Sequence, residues 1–94
     1  MENFIEAMRE LGWMNDEDQL TLDLGNGSFL ALTNKSGKMP TSIKTCRKVV
    51  AYIVHNDERV DLGSLDIEAK DLHQLSNGVI VAKRRYQTGL GIVI

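Results

Sequence analysis

The chain has one cysteine, Cys46, among its 94 residues, so no disulfide can close within it. Small secreted domains usually depend on several disulfides, and the expectation is a cytosolic protein in a reducing compartment. The opening Met1-Glu2-Asn3-Phe4 agrees, having neither the basic start nor the apolar stretch of a secretory signal. Long apolar runs are missing too. The longest covers Val49–Val54, far below the ~20 residues needed to cross a bilayer, and no membrane contact is expected. Aromatic residues make up only 5% of the chain, and there is no basic excess, with a net charge of −2 and a pI of about 5.6. Nucleic-acid binders are usually more basic and interleave aromatics among their cations, so nucleic acid is an unlikely partner and ranks third. The single proline, Pro40, excludes proline-rich linkers, and no repeat or low-complexity tract is present.

What is present is ordinary globular material: 43% hydrophobic and 26% charged residues. A chain of this length forms one domain, spanning 1–94, and buries roughly two-thirds of its unfolded surface. The charge is arranged in blocks. Residues 1–34 carry seven acids (Glu2, Glu6, Glu10, Asp16, Glu17, Asp18, Asp23) and one base, Arg9. Residues 35–59 carry six bases and two acids, residues 60–78 are acidic again, and residues 79–94 hold Lys83, Arg84 and Arg85 with no acid. Such blocks pair within a fold, pair across an interface, or steer a charged partner. Glu6, Glu10, Asp16, Glu17 and Asp18 are expected to face Lys44, Arg47 and Lys48, either within the fold or across an interface.

Phe4, Ile5, Met8 and Leu11 recur at helical spacing, with Asn3 and Glu6 placed as a capping box and Gly12 as a stop, which predicts a helix over 3–12. Leu20, Leu22 and Leu24 alternate with polar residues, Gly25-Asn26-Gly27 is a turn, and 29–33 is apolar again, so a β-hairpin follows. Residues 42–55 fit either a helical stripe or a strand. The β-branched run favours a buried strand over 48–55, turning at Asn56-Asp57 and returning through Arg59 to Leu62. A second helix is predicted over about 65–76, capped by Ser64 or Asp66 and ended by Asn77-Gly78. A strand over 79–86, a loop at Gln87-Thr88-Gly89 and a strand over 90–94 complete the layout. The expected fold is α+β: an antiparallel β-sheet of about four to six strands with two helices.

The string from Leu20 to Ser28 resembles the first phosphate-binding hairpin of the actin, heat-shock and sugar-kinase ATPases. That resemblance implies Asp23 as the acid beside Mg²⁺-bound water and Gly25, Asn26 and Gly27 as the phosphate turn. Those folds need two large lobes and further nucleotide motifs, for which 94 residues leave no room, and the string is read as a hairpin. His55 and His73 lack the spacing of a zinc site, and Asn15–Asp18 lacks the glycine and distal glutamate of a calcium loop. Cys46 lies among cations that would lower a thiol pKa, with His55 or His73 as a potential base. Its place in an apolar stripe argues for structural filler. Phe4, Met8, Trp13 and Met14 read mainly as core.

No catalytic or metal-binding set assembles from these residues, so an enzyme is not expected, and neither is a cofactor. The leading expectation is a non-catalytic binding or regulatory protein acting through protein–protein contacts as a homo-oligomer. It rests on the charge blocks and the uncharged, unprotected tail Leu90-Gly91-Ile92-Val93-Ile94. The alternative is a binder of a small anionic ligand, a nucleotide or phosphorylated metabolite. In the expected final hairpin, Lys83 and Arg85 share a face beside the gap at Gly91. A secondary basic cluster comprises Lys44, Arg47 and Lys48.

Overall fold

The computed structural model describes residues 2–25 and 27–89. Helix α1 (Glu2–Glu10) leads into strands β1 (Met14–Asp16), β2 (Gln19–Gly25) and β3 (Ser28–Thr33). A single 3₁₀ turn (Ile43–Thr45) precedes β4 (Lys48–His55), β5 (Glu58–Asp66) and helix α2 (Leu72–Gly89). The five strands form one antiparallel sheet in chain order. The expected α+β class, with an antiparallel sheet and two helices, is what the chain adopts.

The hairpins follow from period-two patterning and turn chemistry. Asp23 Oδ1 accepts the Gly25 N–H at 2.7 Å, which starts the turn between β2 and β3. The acid offered by the ATPase resemblance is thus engaged by its own turn. Asn56 and Asp57 both take positive φ, 53° and 64°, as a two-residue hairpin requires, and these residue types tolerate it.

Register sorts the side chains onto two faces. Leu20 lies opposite Leu32, Leu22 opposite Leu30, Leu30 opposite Ala51, and Val49 opposite both Leu32 and Leu65. This face joins Phe4 and Met8 of α1 and Leu75, Val79 and Ala82 of α2 in one core, with Trp13. The other face carries Phe29, Tyr52 and Arg59. The two rings stack with centroids 5.3 Å apart, and the Arg59 guanidinium lies 3.9 Å over Tyr52. Arg59 also donates to Asp61 at 2.6 Å and to Gln19 at 3.2 Å, spanning 40 positions of sequence.

The C-terminal third departs from the expected layout. Leu65 belongs to β5, where it pairs with Val49, and Ile67 N–H donates to the Arg47 carbonyl. Helix α2 starts seven residues later than predicted and runs through 79–86, so that segment is helix and not strand. Leu72, Leu75, Val79, Ala82 and Tyr86 recur every three or four residues, and all are buried or half-buried. That stripe packs on the sheet and overrides the strand preference of Val79-Ile80-Val81. The cap is Asp71, whose Oδ1 accepts the Gln74 N–H, while Gln74 Oε1 accepts the Lys70 N–H. Asn77-Gly78 does not stop the helix. Gly78 gives close approach to Ile67, whose Cγ2 lies 3.3 Å from where a Cβ would stand. The predicted loop at 87–89 is the last turn of α2, and the predicted strand 90–94, with the self-association argued from it, lies outside the described residues.

Candidate binding groove

The segment between β3 and β4 is irregular but tightly bonded. Asn34 Oδ1 accepts the N–H groups of Ser36 and Lys38 at 2.9 and 3.0 Å, and Asn34 N–H donates to the Lys38 carbonyl at 2.8 Å. Thr45 Oγ1 accepts the N–H groups of Thr41 and Ser42, both at 2.9 Å, and donates to the Ser42 carbonyl. Pro40 and Cys46 are fully buried, and Arg47 N–H donates to the Thr33 carbonyl. These bonds fix both ends of the loop and the turn between them.

Two depressions open on this scaffold. One, of about 290 Å³, is lined by the polar and charged residues Asn34, Lys35, Ser36, Thr41, Lys44, Thr45 and Arg47. The other, of about 390 Å³, has apolar walls from Phe4, Ala7 and Met8 of α1, Ile43 of the 3₁₀ turn and Leu72 of α2. Lys44 and Lys70 also line it. Thr41 and Lys44 line both depressions, so the two lie side by side as the apolar and polar halves of one grooved surface. The apolar half draws its walls from the two helices and the loop together; only the folded chain makes it.

Comparison with known protein families, characterised proteins and solved structures finds no match. The groove is therefore read from its own chemistry.

Of the sequence-predicted site residues, Lys44 and Arg47 come together, and Lys35, which the sequence reading did not single out, joins them. Lys48 does not. It lies on β4, in register with Thr33 and Asp66. Lys83 and Arg85 do not share a strand face, because the segment is helical. Two positions along an α-helix stand about 160° apart around its axis. Lys83 lines a separate depression of about 200 Å³ between the helices, beside Leu11, Trp13 and Ile80. Gly91 lies outside the described residues.

Among the described residues no three His, Cys, Asp or Glu side chains come together. Cys46 is fully buried, and burial pushes its thiol up to about 12, the opposite of an activated nucleophile. His55 and His73 are exposed. Within the fold, the expected pairing of N-terminal acids with Lys44, Arg47 and Lys48 is not formed among the described residues. Arg47 instead meets Glu68 at 3.7 Å, and the other ion pair is Arg59–Asp61. No helix among the described residues is long and apolar enough to cross a membrane.

Proposed function

We propose that the protein is a non-catalytic binding module of the cytosol that regulates a partner protein by holding a short segment of it in this groove. The observation that carries the reading is the apolar half, about 390 Å³, within the ~300–1,000 Å³ typical of ligand sites. Its walls suit an aliphatic or aromatic anchor side chain. Lys44 and Lys70 in its lining complement acidic residues beside that anchor, and neither lysine has an ion-pair partner among the described residues. The bonded loop presents these groups in place, which lowers the ordering cost of association. The lone buried Cys46 fits a reducing compartment.

The test is selection of binders from a random-peptide display library, followed by titration into the wild type and an Ala7→Trp variant. Ala7 is half-buried on the groove wall, so the indole fills the cavity without entering the core. Enriched peptides are expected to pair an apolar anchor with acidic neighbours and to lose at least tenfold affinity for the variant. Equal affinity for both proteins, or no enrichment, sinks the proposal.

A further inference from the structure

The polar half of the groove has its own chemistry. Three cations, Lys35, Lys44 and Arg47, line one depression of about 290 Å³ together with the hydroxyl-bearing Ser36, Thr41 and Thr45. They come from two ends of a loop: the Asn34 and Thr45 hydrogen bonds order each end, and the Arg47 N–H bond to the Thr33 carbonyl ties the two together. The N–H groups of Thr41 and Ser42 are already taken up by Thr45 Oγ1, so recognition falls to side chains. The only acid paired with these cations among the described residues is Glu68. It meets Arg47 at 3.7 Å, with the two side chains 43% and 84% exposed. Such an exposed pair is worth about 0–1 kcal/mol and yields to a stronger anion.

We infer that this depression is a phosphoryl site, which takes the terminal oxygens of a phosphate monoester on Lys35, Lys44 and Arg47. The Arg47 fork pairs with two oxygens, the lysines act as point charges, and the hydroxyls of Ser36 and Thr41 donate to the remaining acceptors. A carboxylate has one charge and two oxygens, too few to use three cations. A phosphoryl group carries about −1.5 to −2 charges and three acceptor oxygens, which match them. The inference deepens the proposed function, because the site adjoins the apolar half through Thr41 and Lys44. A phosphorylated residue next to the apolar anchor of a partner segment then fills both halves at once. Phosphorylation of the partner becomes the event that the module reads.

The experiment is an NMR titration of the ¹⁵N-labelled full chain with sodium phosphate against sodium chloride at matched ionic strength. A second pair of titrations uses a library-enriched peptide with and without phosphoserine beside its anchor. Phosphate is expected to give saturable shifts confined to the amides of Lys35–Ser36 and Thr41–Arg47. The phosphoserine peptide is expected to bind at least tenfold tighter than its unphosphorylated form. Lys44→Glu should abolish both effects. Glu68→Gln, which frees Arg47, should tighten phosphate binding several-fold, an outcome that no folding defect imitates. Free phosphate probes this site alone and the unphosphorylated peptide probes the apolar half alone, which separates failure of one from failure of the other. Free phosphate binding without any gain from the phosphopeptide would assign the site to small phosphorylated molecules and overturn the partner reading. Shifts no different from those in chloride, or spread equally over Lys83, Arg84 and Arg85, would overturn the site itself.

Discussion

Cys46 shows how a single side chain couples the loop to stability. Its thiol is fully buried and donates to the Ser42 carbonyl at 3.4 Å, just ahead of β4. Burial penalises the thiolate and raises the group from 9.0 to about 12. A group whose pKa is raised on folding contributes stability that is intact below the unfolded value and lost as pH climbs toward the folded one. Stability is therefore expected to fall between pH 9 and about 12 at about 1.4 kcal/mol per pH unit. Tyr52 is also raised, chiefly by burial and against the pull of Arg59, and it acts in the same direction at the upper end of that window. Chemical denaturation across pH 8–10.5 checks this, with Cys46→Ala as the comparison. The slope should flatten in the variant, and parallel slopes would show that another group governs the loss. The same burial makes the native thiol inert to alkylating reagents until the chain unfolds.

At the level of elements, α2 is where local preference and tertiary packing disagree, and one surface position separates them. Val81 is 57% exposed on α2. In a helix, Val→Ala at an exposed position gains several tenths of a kcal/mol; in a strand the same change loses stability. Val81→Ala should therefore raise the melting temperature slightly, while Val81→Pro should cost about 3 kcal/mol or more. A destabilised alanine variant would restore the strand. The contrast explains what was legible in the residues. The two hairpins could be read because Leu20, Leu22 and Leu24 alternate and Asn56-Asp57 demands a tight turn, both of which are local signals. The Asp71–Gln74 capping pair is also a local signal, but Asn77-Gly78 looks like a stop and so moves the expected cap back to Ser64 or Asp66. In the fold Gly78 lets α2 approach Ile67 closely. Half of the groove could be anticipated, because Lys44 and Arg47 are neighbours in sequence. Lys35 joins them only through the Asn34 turn, and the apolar walls come from residues as distant as Phe4, Ile43 and Leu72. No short-range pattern connects those.

Across the whole molecule, the acidic N-terminal block and the basic block that follows it do not cancel by contact among the described residues. Among the described residues only two ion pairs form, Arg47–Glu68 and Arg59–Asp61, and neither draws on the acidic N-terminal block. Residues 1–34 hold seven acids and one base, and residues 35–59 hold six bases and two acids; the separation is left to act as a field. Three of those bases stand at the groove. A field of this kind guides the encounter of an acidic segment and then contributes little to keeping it, because exposed charges are screened in the final complex. Holding falls to the apolar anchor, which salt does not weaken. Between 0.1 M and 1 M salt the screening length shrinks from about 10 Å to about 3 Å. The association rate of an enriched acidic peptide is therefore expected to drop by about an order of magnitude over that range, with its dissociation rate nearly constant. Stopped-flow measurements on the wild type and on Lys44→Glu resolve the two rates. The variant should associate slowly at low salt and lose most of the salt dependence. The melting temperature provides the control: two exposed pairs worth about 0–1 kcal/mol each leave the fold little to lose to screening. An association rate indifferent to salt, or a dissociation rate that carries the whole effect, would mean that the cations act by direct pairing and that the block arrangement does not steer.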